Sequence, residues 1–296
     1  MLIRHLDFFV TLAEEAHFGR AAELCGVSQP ALSLAIRKLE DDLGTPLILR
    51  GQRFLGLTAE GEKVLLWGRQ ILSDYGNLRS DLSGRRKGGL TGELRLGVSP
   101  AAIPLLPLFC EQFEAKNPLS RLRIETMPLA QIETALADFT LDGGLGWLPA
   151  KRAKSDPLRQ QPLWNVTLKF ACRADHPFAQ GGAISLGDAA TQPLCLIGDL
   201  PLPVAVTGRP AILCAGLDAV LGHLRHGGWC SLVPDTLTPL LHADDDICLI
   251  PLSDAPPAPQ IGGMVLRREP QSPMVRAFDD CLATLAGEQA ARGAAA

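Results

Sequence analysis

A glycine set between two short amphipathic segments constrains this chain more than any other local feature. Gly19 to Leu24 reads as a short helix, and Gly26 supplies the left-handed turn that ends it. Ser28 then caps a third helix whose second position, Pro30, forfeits no intrahelical N–H bond. Ahead of both, Leu6, Phe9, Val10 and Ala13 recur at helical spacing within Ile3 to Glu15. Helix, glycine turn, helix is helix-turn-helix grammar. Leu32, Ile36 and Leu39 must face the core of so small a bundle, which leaves Gln29, Pro30, Ser33 and Arg37 opposite, with Leu34 on the flank. Short polar and forked side chains on the N-terminal half of a helix suit base edges in a major groove. Taken alone, a merely solvated helix face explains them equally well.

Two flanking features tilt that balance. Leu47 to Leu49 and Phe54 to Leu57 read as short strands around Arg50-Gly51-Gln52-Arg53, a hairpin wing tipped by two guanidiniums that suits phosphate or minor-groove contact. Thr58 then caps a helix running from Ala59 to about Arg86, with Glu60 in its first turn and basic residues near its end. Val64, Trp67, Ile71, Tyr75, Leu78 and Leu82 form a seam along it for a partner helix, so dimerisation is expected. Gly88-Gly89 breaks the rod and makes a hinge.

The 296 residues exceed what one core usually serves, and 47% apolar against 20% charged residues excludes disorder as a whole-chain state. No stretch has the length and apolarity of a membrane span, and Arg4, His5 and Asp7 interrupt any signal-like start, so a cytosolic location is expected. Net charge is -4, divided as +1 over residues 1–90 and -5 over the rest, so nucleic-acid binding must come from local patches. Eight cysteines lie scattered without a C-x-x-C pair, mostly in apolar runs, which favours buried thiols over disulfides or zinc.

Beyond residue 90, "GELRLGVSP" is a strand entering a helix, with Ser99 and free backbone N–H groups at the turn as a seat for a small anion. Strand-like runs at 122–126, 167–172, 194–197, 230–233 and 264–266 alternate with helical stretches at 105–115, 132–137, 217–226 and 274–286, which implies doubly wound α/β lobes. "DGGLGWL" lacks the lysine and spacing of a phosphate loop and is set aside. His223 and His226 lack flanking metal ligands, and Asp244 to Asp246 reads as a solvated loop. No Ser-His-Asp, paired-carboxylate or nucleophile-elbow context appears, so no enzyme and no cofactor are expected.

The run "LDFFVTLAEEAHFGRAAELCGVSQPALSLAIRKLEDDLGTPLILR", followed by "LTAEGEKVL", resembles the DNA-binding head and linker helix of LysR-type transcriptional regulators. "RADHPFA", "ISLGDAA" and "LDAVLGHLRHGGWCSLVP" resemble the same family's sensor domain less closely. The resemblance implies an α+β multi-domain chain. Its parts would be a winged helix-turn-helix over 1–58, a linker and dimerisation helix over 59–87 and a hinge over 88–90. A two-lobed periplasmic-binding-protein-like effector domain would follow, with lobe one over 91–163 plus 268–296 and lobe two over 164–267. It implies DNA contact by Gln29, Pro30, Ser33, Leu34, Arg37, Arg50 and Arg53. The effector pocket would be lined by Ser99, Ala101, Pro128, Trp147, Ile197, Gly198 and Gly216.

Some aromatic-acid-sensing relatives place a threonine and an arginine where this chain has Pro128 and Trp147, so the bidentate carboxylate clamp is missing here. A small or apolar effector follows. End to end, the chain also resembles regulators found with formate dehydrogenase operons, which points to formate. The implied partners are promoter DNA, a second copy of the chain in a homodimer or homotetramer, and RNA polymerase. The alternative is a thiol-based redox sensor on the same scaffold, with Cys195 and Cys214 as the switching pair.

Overall fold

The computed structural model describes residues 2–49, 53–87, 89–149, 156–198, 200–202, 211–241, 246–256 and 260–295. The chain divides into two compact units: Met1–Arg86 with Asp138–Thr140, and Lys87–Ala137 with Leu141–Ala296.

In the first unit, α1 (Leu2–Glu15), α2 (Phe18–Leu24) and α3 (Gln29–Leu43) enclose a core of Phe9, Leu12, Leu32, Ile36, Leu39 and Leu47. The caps follow the sequence. Gly26 adopts φ 64° and Ser28 Oγ accepts the Ala31 N–H at 3.4 Å. Gly44 ends α3 in the left-handed region at φ 69°. Glu40, buried at the end of α3, accepts the Leu47 N–H at 2.7 Å and the Ile48 N–H at 3.3 Å, which pins the start of the wing. The wing is slighter than expected. Ile48 and Leu57 make one antiparallel bridge, extended by Leu49 N–H to Gly56 O and Thr58 N–H to Leu47 O, each 3.0 Å. A ribbon of two strands this short has no third strand to extend it.

Thr58 joins the wing to the rod. Its hydroxyl donates to Pro46 O at 2.8 Å and accepts the Gly61 N–H at 2.9 Å, capping α4 (Ala59–Lys87). Gly61 is required by that joint: a Cβ there would lie 2.1 Å from Leu47 O, so helix and wing approach only because the side chain is absent.

The described residues of the second unit form sheets of five, three and two strands. The first has order β2-β1-β3-β10-β4, from β1 (Gly92–Val98), β2 (Ser120–Thr126), β3 (Gly143–Leu148), β4 (Leu158–Asn165) and β10 (Gln260–Leu266). β1, β2 and β3 are parallel, whereas β10 runs antiparallel to β3 and β4. In the second, β5 (Leu168–Arg173) lies between β8 (Ser231–Pro234) and β9 (Ile247–Pro251), antiparallel to both. β6 (Leu194–Ile197) pairs in parallel with β7 (Ala211–Cys214) and joins that sheet through the bridge Leu194 to Cys230. Helices α5 (Leu106–Lys116), α6 (Leu129–Ala137), α7 (Leu186–Ala189), α8 (Leu217–His226), α9 (Thr238–Leu241) and α10 (Pro273–Ala295) complete the described elements.

One lobe boundary differs from expectation. Gln260–Leu266 lies in the sheet of lobe one, although residues up to 267 were assigned to lobe two; its partners are β3 and β4, and pairing partners leave no local mark in a sequence. Lobe two repeats the mixed pattern of lobe one: β6 is parallel to β7 and bridges β8 in parallel, while β5 is antiparallel to β8 and β9. "GGLGWL", which lacks the features of a phosphate loop, is the wholly buried strand β3. Its glycines serve packing on both faces: a Cβ on Gly143 would meet the Phe278 ring at 3.0 Å, and one on Gly144 would meet Ile132 at 2.5 Å.

Gly61→Ala raises intrinsic helix propensity yet is expected to destabilise the first unit by about 2 kcal/mol through overpacking. Urea unfolding of the full chain checks this; a midpoint at or above that of the unaltered protein refutes the packing account.

Candidate nucleic-acid interface and ligand cleft

Leu32, Ile36 and Leu39 are buried as a set, so the opposite face of α3 is turned outward. Gln29, Pro30 and Arg37 are exposed, Ser33 is half-buried, and Leu34 is a large apolar side chain 69% exposed. Arg53 is exposed on the wing, while Arg50 lies outside the described residues. Charge then selects one end of the helix. Arg37 and Lys38 precede Asp41 and Asp42, and the carbonyl end of the helix carries negative partial charge. Positive charge therefore lies past the middle of α3 at Arg37 and Lys38 and gives way to negative charge in its last turn.

Along α4, Trp67, Ile71, Tyr75, Leu78 and Leu82 form an exposed stripe, with Trp67 at 65% and Leu78 at 56%. Val64, expected in the same seam, packs with Leu65 and Leu72 on the head core instead. The helix thus carries two apolar faces, one spent within its unit and one uncovered there. A large contiguous apolar face of that kind marks an association surface.

In the second unit, alternation along β1 and β3 sorts the expected effector residues. Leu94, Leu96, Val98, Leu145 and Trp147 share one core. Gly97 and Gly144 face Ile132 on α6, on the other side, and Gly146 faces Ser99 and Leu129 there. Ser99 and Trp147 therefore leave the strand ends on opposite faces. Both are buried, and Ser99 Oγ and Trp147 Nε1 each lack a hydrogen-bond partner. The backbone half of the expected anion seat is already in use: Ser99 N–H donates to Leu145 O at 2.8 Å, Ala102 N–H to Ser99 O at 2.9 Å, and Pro100 has no N–H. The Ser99 hydroxyl and the Ala101 N–H take no part in these bonds.

Ala101 is buried in the 3-10 turn Pro100–Leu105, and half-buried Pro128 accepts the Gln131 and Ile132 N–H groups as α6 begins. In lobe two, Ile197 pairs with Cys214, the N–H of exposed Gly198 donates to Cys214 O at 3.0 Å, and Gly216 begins α8. These residues stand at the carboxyl ends of two parallel strands, where ligands bind in α/β sheets. One contact escaped the sequence. Thr236 Oγ1 of lobe two donates to Ala101 O of lobe one at 3.3 Å, across 135 residues of chain.

The thiols are packed. Cys195 and Cys214 are both buried, and the Cys195 Sγ points to Cys230 O at 3.4 Å. Burial pushes Cys195 up to about 11 and Cys230 to about 12, and raises Cys214 as well. At neutral pH they are protonated and poorly nucleophilic. His223 stacks edge-on against Trp229 at 5.9 Å, and no cluster of three or more metal-ligating side chains occurs among the described residues.

Comparison with known proteins agrees with this geometry. Residues 3–62 match the bacterial regulatory helix-turn-helix of the lysR family, and residues 87–286 match the LysR substrate binding domain. The chain belongs to the LysR family of transcriptional regulators: it is a DNA-binding regulator and not an enzyme. The dual regulator OxyR of Escherichia coli K12 is 29% identical over 266 residues, 90% of this chain and 84% of that one. A cysteine-substituted full-length OxyR of Pseudomonas aeruginosa superposes with a TM-score of 0.74 at 26% identity, covering 96% of this chain and 94% of that one. Full-length CbnR complexed with its target DNA shares the fold, with a TM-score of 0.69 at 23% identity over 96% of this chain and all of that one. No described helix is long and apolar enough to cross a membrane.

Two measurements follow. Ser33→Ala is expected to lose about 1 to 3 kcal/mol of preference for a specific base, whereas Arg53→Ala should weaken binding to all sequences alike and flatten the salt dependence. Fluorescence anisotropy on operator and scrambled duplexes separates the two; identical behaviour of both variants refutes the assignment. Mass mapping after mild peroxide should find Cys195 and Cys214 still reduced, and a Cys195–Cys214 disulfide would contradict their burial.

Proposed function

We propose that this regulator binds an inverted-repeat operator as a homodimer or homotetramer paired along the exposed stripe of α4. Gln29, Pro30, Ser33, Leu34 and Arg37 read the major groove, and Arg50 and Arg53 hold the adjacent backbone. A small metabolite in the cleft between the lobes changes lobe packing, and thereby the spacing of the heads and the bend of the DNA. The protein acts in the cytoplasm, with RNA polymerase as its downstream partner.

The observation that carries the effector assignment is the Ser99 hydroxyl, buried at the carboxyl end of β1 without a partner. Such a group loses free energy until an acceptor arrives. Ala101 follows it in the same turn, Pro128 opens α6 next to Met127, whose N–H donates to Val98 O, Ile197, Gly198 and Gly216 lie at the strand ends of lobe two, and Trp147 stands on the other face of β3. A hydroxyl with no guanidinium among these residues suits a small carboxylate such as formate better than a large dianion. The relatives named above are not formate dehydrogenase regulators, so formate rests on pocket chemistry and the resemblance read from the sequence.

The redox alternative is supported by similarity to OxyR and weakened by the buried, protonated state of Cys195 and Cys214. DNase footprinting of the region upstream of the protein's own gene, with and without sodium formate, tests the metabolite reading. Ser99→Ala should leave DNA affinity unchanged and raise the formate concentration for half-maximal response about tenfold. A response to peroxide but not to formate would overturn it.

A further inference from the structure

The cross-lobe bond from Thr236 has a cause written in the chain. In a 3-10 turn each carbonyl accepts the N–H of the residue three places on. Three places after Ala101 stands Pro104, inside the turn Pro100–Leu105, and proline has no N–H to give. Ala101 is wholly buried, so its carbonyl cannot turn to bulk water instead. The partner arrives from lobe two as the Thr236 hydroxyl, at 3.3 Å.

Both ends of this bond are anchored. On one side, Ser99 N–H to Leu145 O at 2.8 Å ties the turn to β3, and Ala102 N–H to Ser99 O at 2.9 Å closes it. On the other, Asp235 N–H donates to Thr167 O at 2.8 Å, and Leu237 is fully buried. The Ser99 hydroxyl and the Ala101 carbonyl thus belong to one rigid turn with two outward commitments. One faces the candidate ligand and the other faces lobe two.

We propose that Thr236 is a positioning residue for effector control: its hydroxyl straps the Ser99 turn to lobe two, so that ligand binding at Ser99 and the packing of the two lobes are coupled through the Ala101 carbonyl. This rests on the reading of the cleft as an effector site. A bond at 3.3 Å is at the long end of the hydrogen-bond range, so a modest displacement of the turn breaks it. When it breaks, Ala101 is left with a buried unpaired acceptor that no neighbour within its turn can serve, so the lobes respond to the strap rather than drift past it.

Pro104 makes the test sharp. Thr236→Val keeps the shape and removes the donor, Thr236→Ser keeps the donor, and Pro104→Ala gives Ala101 an N–H donor within its own turn. Hydrogen exchange by mass spectrometry on the full chain should show amides 102–106 exchanging about fivefold faster in Thr236→Val, as in the unaltered protein in Thr236→Ser, and restored in the Pro104→Ala/Thr236→Val double variant. The DNase footprint upstream of the protein's own gene, read without ligand, should change length in Thr236→Val and in the double variant, both of which lack the strap, and stay as in the unaltered protein in Thr236→Ser.

Unchanged exchange in Thr236→Val overturns the strap. So does failure of the double variant to recover its exchange, and so does an unaltered footprint in Thr236→Val or in the double variant. If Ser99→Ala leaves the formate response intact while the exchange and footprint pattern appears as expected, the effector reading fails and the strap stands.

Discussion

The inward commitment of Leu32, Ile36 and Leu39 on α3 is the constraint from which the DNA-binding unit follows. Once those three side chains are taken by the core with Phe9, Leu12 and Leu47, the helix cannot rotate, and Gln29, Ser33, Leu34 and Arg37 are outward by geometry alone. Glu40, on the buried side of the same helix, then holds Leu47 and Ile48, so the core that orients the recognition face also places the wing. Orientation of the reading head is thus a packing result before it is an electrostatic one.

Electrostatics refines what packing allows. Overall charge is negative, yet the unit concentrates Arg37, Lys38 and Arg53 toward one end of α3 and the wing, with Asp41 and Asp42 beyond. A polyanion is steered by that local arrangement, because screening in physiological salt confines each charge to roughly 8 Å. In the second unit charge matters less. The buried groups without a hydrogen-bond partner at the strand ends, Ser99 Oγ and Trp147 Nε1, are neutral donors on opposite faces of the sheet.

Much of this was legible without coordinates. Ser28, Gly26, Pro30 and Thr58 mark helix ends by chemistry that acts within four residues, so the head was readable nearly to the residue. The seam on α4 was readable from spacing, except that Val64 turned out to serve the head core. The limits of legibility are equally specific. β3 was missed because its three glycines look like a loop, when they are gaps filled by Phe278, Ile132 and Ser99 from elsewhere in the chain. The Ser99 N–H is bonded to Leu145, and β10 crossed back to lobe one, because strand partners are chosen over long separations.

By itself, then, the sequence determined which segments are helices, where they stop, which face of α3 is polar and which thiols sit in apolar runs, since each depends on neighbours a few positions away. Only the tertiary structure decided that Ser99 and Trp147 part to opposite faces of a sheet, that Gly61 exists to let α4 pass the wing, and that Thr236 serves the carbonyl Pro104 leaves bare. Those outcomes are set by atoms brought together from distant parts of the chain. Burial is what gives them force, because a polar group cut off from water must find its partner wherever the fold supplies one.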